Sequence, residues 1–234
     1  YNTAAFLGVW ILNDPGGLAR GFDSINWRQP AEPGAVHGIR RSGTYIDEVI
    51  AYLRARQNDS SPFFLWIHTF DPHAPFLPPG EYSRMFRSPT TPDFDLLGQM
   101  KGNIENLNGY RPSFPSDFML SQYLGELRYW DSNFQKIFET IQEPGNLDNT
   151  LVVYTSDHGE NVGEDNIYGH LDINQHVIRT PLIMWHPDLI PPTKLKTPVQ
   201  QSDLAPTILD FLKIKAAGVQ FEGKNLKQLM TRSE

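Results

Sequence analysis

The stretch VVYTSDHGENVGEDNIYGH, residues 152–170, begins as a buried strand and ends as something else. The apolar run stops at Asp157, His158 and Glu160, with Gly159 among them and His170 further on. On a loop, adjacent Asp and His side chains can turn towards one cation, the first through oxygen and the second through a ring nitrogen. Gly159 relieves the crowding that such a turn creates. Two protein ligands are too few for a structural metal, so Asp157 and His158 require further donors from elsewhere. A short DHG motif has a plainer reading as well: Asp157 capping a helix that starts at His158.

Working outward, apolar runs and helical patterns alternate along the chain. TAAFLGVWI (3–11), PFFLWIHTF (62–70), NTLVVYTSD (149–157) and TPLIMWHP (180–187) read as strands. TYIDEVIAYLRAR (44–56) carries Ile46, Val49, Ile50 and Leu53 on one helical face, with Thr44 and Asp47 spaced as a capping box. Leu120, Leu124, Leu127, Phe134, Ile137 and Ile141 mark a long amphipathic helix. SDLAPTILDFLKI (202–214) is a helix capped by Ser202 or Asp203, with Pro206 tolerable only near its first turn. This alternation predicts an α/β fold: a mostly parallel sheet sandwiched by helices, containing the runs 4–11, 62–67, 150–155 and 181–185. Between Ala74 and Asp117 lies a long stretch rich in Pro, Gly and Ser, of a length that is often functional.

The polar residues of interest follow strands. His68, Asp71 and His73 come after FFLWI, and Asp157, His158 and Glu160 after LVVYTS. In open parallel sheets, sites form beyond the carboxyl ends of the strands. His73, Asp157, His158 and His170 are therefore expected to share one cleft. His73 or His170 could donate a proton to a leaving group or stabilise a substrate oxyanion. His68 is read as a structural core histidine, and His176 and His186 as structural or exposed. Glu126 and Asp131 are read as a solvated helix face, and Arg179 as the partner of a carboxylate.

The composition excludes several classes. A net charge of −7 and a pI near 5.5 argue against a nucleic-acid surface. No apolar run is long enough for a membrane span. There are no cysteines, hence no thiol nucleophile and no Cys–zinc site. Asn58-Asp59-Ser60 fits a glycosylation sequon, a match frequent by chance.

Taken together, the segments resemble the sulfatase family of the alkaline phosphatase superfamily. FFLWIHTFDPHAPFLPP is similar to that family's F-L-x-x-H-x-x-x-P-H-x-P-(F/Y)-x-P-P segment, and YLGELRYWD to its Y-x-x-E-(I/V)-x-x-x-D helix. TLVVYTSDHGE, YGH, RTPLI and SDLAPTI with GKNL follow in the family's order. The resemblance covers nearly the whole of 1–234 and implies an alkaline phosphatase-like partial domain, the central to C-terminal portion of a sulfatase catalytic domain. It further implies Asp157 and His158 as metal ligands, and His73 and His170 at a sulfate ester substrate. The cation it implies is divalent, calcium first, with manganese or zinc suited to the imidazole.

Sulfatases attack sulfur with a formylglycine made from Cys or Ser in C/S-x-P-x-R. Neither that motif nor the family's early Asp-Asp pair is present, so both are expected upstream of Tyr1, on the same or another chain. The resemblance also implies export, to a periplasmic, extracellular or lysosomal compartment. Two alternatives stay open: a phosphomonoester or phosphonate hydrolase of the same superfamily, and a catalytically inert binding module.

Overall fold

A computed structural model describes residues 1–14, 17–29, 38–57, 59–94, 114–143 and 149–231. The Asn58 sequon and much of the 74–117 stretch lie outside the described residues. The chain divides into two compact units, Tyr1–Leu147 with Glu160–Ile173, and Asp148–Gly159 with Asn174–Glu234.

The first unit is built on a parallel sheet ordered β2–β1–β3, with β1 at Asn2–Leu7, β2 at Ser24–Asn26 and β3 at Phe63–His68. Ala4, Ala5, Phe6 and Leu7 are all buried, as a central strand covered on both faces requires. Helix α1 (Ile46–Ala55) makes the crossover before β3 and buries Ile46, Val49 and Leu53, the predicted face. Its predicted capping box is absent. Thr44 lies in a 3-10 turn and its hydroxyl donates to the Arg41 carbonyl, so Tyr45 takes the cap position without a side-chain bond.

Helix α2 (Ser116–Ile141) corrects the sequence reading more deeply. Its buried face includes Phe118, Gln122, Gly125, Glu126, Asn133 and Ile137, whereas Leu120 is 42% exposed. A polar stripe is turned inward because backbone groups of the 73–83 segment and the Ser42 hydroxyl meet it. Gln122 donates to the Ser83 carbonyl, Glu126 accepts from the His73 and Leu77 amides, and Asn133 donates to the Ser42 hydroxyl. Gly125 is required there, since a Cβ would stand 2.5 Å from the Tyr82 carbonyl. Asp131 does face solvent, paired with Arg128.

A small antiparallel pair, β5 (Asn161–Val162) with β6 (Tyr168–Gly169), completes this unit. Val162 packs among Phe76, Phe114, Phe118 and Met119, which ties the pair to α2 and to the loop after β3.

In the second unit, β4 (Val152–Thr155) pairs with β7 (Leu182–Trp185) antiparallel. This corrects the expectation that all four apolar runs join one mostly parallel sheet, since β4 and β7 form a two-stranded sheet of their own. A parallel connection needs a crossover of about a dozen residues or more, usually a helix. Between β4 and β7 the α-helix α3, Gln175–Ile178, has only four residues, too short to lie along a sheet as a crossover helix, and the two strands pair antiparallel. Helix α4 (Leu204–Phe211) and helix α5 (Lys227–Thr231) cover the pair through Phe211, Leu226 and Met230 packed on Leu151, Leu182 and Met184. Asp203 precedes α4 but makes no side-chain cap bond to it; it serves the 3-10 turn Gln201–Asp203 instead. Its carboxylate accepts from the Gln200 and Lys224 amides, closing a capping box with Gln200 and anchoring the later GKNL turn.

Candidate active site

The loop that leaves β3 is held from within. Tyr45 donates its hydroxyl to the His68 carbonyl, and the buried Asp71 carboxylate accepts from the Ser42 amide at 2.7 Å. His68 stands edge-on to Trp66, in keeping with a structural role. His73 then projects from a backbone whose amide is bound by Glu126 at 3.2 Å. Its Nδ1 lies 2.6 Å from the Ala74 carbonyl, which can only accept, so Nδ1 carries a proton. The ring leans on Phe70 with centroids 4.2 Å apart.

His170 follows β6. Its ring centroid is 5.4 Å from that of His73, so these two sequence-predicted residues do come together. Its Nδ1 is 3.1 Å from Oε2 of Glu160, whose side chain is only 6% exposed. Glu160 therefore stands behind the His170 ring and fixes which nitrogen faces outward. Oε1 of Glu160 is buried without a hydrogen-bond partner among the described residues.

Burial and the neighbouring Asp71 push the Glu126 carboxyl up to about 8, against the opposing pull of the Leu77 amide, Arg41 and the His73 amide. Asp71 is likewise raised by burial, partly offset by the Ser42 amide. The sequence reading of Glu126 as solvated is thus wrong: it is 3% exposed and bound to the loop that carries His73. A glycine in mid-helix beside it was the available signal, because such a glycine costs about 1 kcal/mol against alanine and generally has a packing reason.

Asp157 and His158 belong to the second unit, on the loop after β4. Gln201 donates to the Ser156 and Asp157 carbonyls, Ser156 donates its hydroxyl to the His158 carbonyl, and the Gly159 amide donates to Val177. A Cβ on Gly159 would lie 2.0 Å from the His176 carbonyl, so this position excludes a side chain. Asp157 does not cap a helix. Its Oδ1 accepts from the His158 amide and its side chain is 81% exposed. Nδ1 of His158 lies 2.8 Å from the Gly159 carbonyl, leaving Nε2 as the acceptor nitrogen, 3.6 Å from Oδ2 of Asp157. An oxygen and a nitrogen donor near one point, the imidazole oriented by a carbonyl, fit part of a coordination shell. No group of three or more His, Cys, Asp or Glu suited to a metal occurs among the described residues.

His176 is exposed at α3, and buried His186 accepts from the Asp188 and Leu189 amides. Arg179 is exposed and makes no ion pair among the described residues, contrary to its expected pairing. No helix among the described residues is long and apolar enough to cross a membrane.

The Sulfatase family model matches residues 19–214. The chain belongs to the sulfatase family. It is 27% identical to an arylsulfatase of Clostridium perfringens over 90% of this chain and 46% of that protein. It is 26% identical to the N-acetylglucosamine-6-sulfatase of Bos taurus, over 83% of this chain and 37% of that one. The chain thus spans less than half the length of these curated relatives. Among solved structures, the phosphonate monoester hydrolase of Silicibacter pomeroyi superposes with a TM-score of 0.73 at 20% identity, over 99% of this chain and 59% of that chain. BT4656, solved with its substrate D-glucosamine-2-N,6-O-disulfate, gives 0.70 at 19%, over 99% and 62%. These neighbours share the fold, which is the expected alkaline phosphatase-like α/β class.

Proposed function

We propose that the 234 residues are the central to C-terminal portion of the catalytic domain of a metal-dependent sulfate ester hydrolase. The observation that carries this reading is the meeting of His73 and His170, each with Nδ1 bound, inside a chain of the sulfatase family. With Nδ1–H committed to Ala74, the proton that His73 gives to a leaving oxygen is the one at Nε2 of its cationic form. His170, held by Glu160, offers its own Nε2 edge to the anionic sulfate oxygens. Asp157 and His158 are the chain's contribution to the metal shell, through carboxylate oxygen and Nε2. When bound, a divalent cation supplies Lewis-acid charge for the ester oxygens. Calcium is the first choice, and the imidazole equally suits manganese or zinc.

With no cysteine in the chain, a cysteine-derived formylglycine nucleophile would come from residues outside it. One relative, 29% identical over 75% of this chain, is an extracellular sulfatase of Drosophila melanogaster, which supports export. A second reading, phosphonate or phosphate ester hydrolysis, draws support from 27% identity over 164 residues to a multifunctional alkaline phosphatase superfamily protein of Trinickia caryophylli. The deciding experiment extends the protein upstream of Tyr1 and compares an aryl sulfate with an aryl phosphonate monoester, with and without chelator. Sulfate turnover lost to chelator supports the first reading. Phosphonate preference replaces it with the second, and activity towards neither ester leaves a binding module.

A further inference from the structure

We propose that Glu126 is a positioning residue, which clamps residues 73–77 to helix α2 and so aims the His73 ring. This rests on the reading above that His73 works at the ester. One carboxylate takes both ends of the loop: Oε2 accepts from the His73 amide at 3.2 Å and Oε1 from the Leu77 amide at 2.7 Å. The amides are four residues apart in a segment holding Pro72, Pro75 and Pro78, where no helix or strand pairs them. An amide drawn out of water needs an acceptor, and one carboxylate serving two of them ties both ends of the segment to one point on α2.

The rest of that helix face is shaped for the same grip. Gln122, one turn before, donates to the Ser83 carbonyl, Gly125 lets the backbone at Tyr82 approach, and Ser132 meets the Tyr82 hydroxyl. Residues spaced three and four apart on a helix share a face, so this stripe holds the loop from 73 to 83 along its length. The charged groups facing Glu126 are Asp71, from the loop after β3, and Arg41, from the loop before α1. Burial and Asp71 favour the neutral carboxyl, so the strength of the clamp changes with pH in the range where Glu126 ionises, near 8.

The test uses NMR on the full 234-residue chain, wild type and Glu126→Gln, with Glu126→Asp as the second variant should the first fail to fold. Gln keeps the volume and one acceptor oxygen; Asp keeps the charge and shortens the reach. In the wild type, the Leu77 amide proton shift should inflect between pH 7 and 9, and in Glu126→Gln it should be flat. Hydrogen exchange at His73 and Leu77 should accelerate at least about tenfold in either variant, while Ile137 further along α2 stays as protected as before. The His73 ring resonance should move as the ring leaves Phe70 and His170. Equal exchange at His73 and Leu77 in wild type and variant overturns the proposal, as does acceleration spread evenly along α2. Neither readout needs turnover. A clamp that responds as expected in a protein whose upstream-extended form hydrolyses no ester would leave the positioning intact and remove the ester reading.

Discussion

Two histidine–carboxylate pairs sit in the two units, and they are built in opposite ways. In His170–Glu160 the acid is buried and the histidine is held in front of it. In His158–Asp157 the acid is the exposed partner, and the loop is held through its backbone carbonyls by the Ser156 hydroxyl and the Gln201 side chain. A buried carboxylate with a fixed partner orients that partner. An exposed one beside an acceptor nitrogen is available to an incoming cation. The contrast is what the proposed reading rests on when it gives Glu160 an orienting role and Asp157 a ligand role, although each is an acid within two residues of Gly159 or His158.

That contrast breaks most sharply at Asp157. In the upstream-extended protein, Asp157→Ala should abolish metal-dependent turnover and weaken cation binding in calorimetry. The same change in the 234-residue chain should move unfolding stability by no more than about 0.5 kcal/mol, since the side chain is exposed and caps nothing. A large stability loss would make Asp157 a structural residue like Glu160.

A second test uses pH. The folded-state pKa of Glu126 is raised to about 8, well above that of an unfolded glutamate. Between the two values the folded protein binds the extra proton, so stability is greatest below the unfolded value and falls as pH rises towards 8. The slope has an upper limit of about 1.4 kcal/mol per pH unit for one group. Denaturant titrations from pH 5 to 8.5 should show this fall in the wild type and a flatter profile in Glu126→Gln. Parallel profiles would mean that Glu126 is not the titrating group.

Smaller effects separate backbone from side chain. Gly159→Ala forces a Cβ onto the His176 carbonyl and should cost about 1–3 kcal/mol in thermal unfolding, with cation binding lost alongside. Glu160→Gln keeps the volume behind His170 and should lower kcat of the extended protein about tenfold, on the scale of one charge-assisted hydrogen bond, with cation affinity unchanged. A change in cation affinity would erase the distinction between the two acids.

How much of this was legible depended on what each residue answers to. Strand β1 and helix α1 could be read because a run buried on both faces and three-four spacing are local patterns. His73 could be read as a polar residue following a strand and His170 only through the resemblance, and Val162, packed into the cluster around Phe76 and Phe118, lies on the strand pair that leads to His170. The direction of β4 and β7 could not, since apolar runs carry no sign of parallel or antiparallel pairing. The inward face of α2 was misread for a definite reason. Leucines at 120, 124 and 127 suggest one stripe, while the loops demand hydrogen-bond partners on another, and Gln122, Glu126 and Asn133 answer that demand only after the loops arrive.

The central claim is that His73 and His170 work on the ester while Asp157 and His158 serve the metal. The direct measurement is kcat on a chromogenic aryl sulfate, with cation affinity determined on the same samples, for the upstream-extended protein and its His170→Ala variant. The account predicts a fall in kcat of about 10²–10⁴, the range for losing a proton-transferring side chain, with cation affinity unchanged. An unchanged kcat, or a loss of cation binding equal to that of Asp157→Ala, would contradict it.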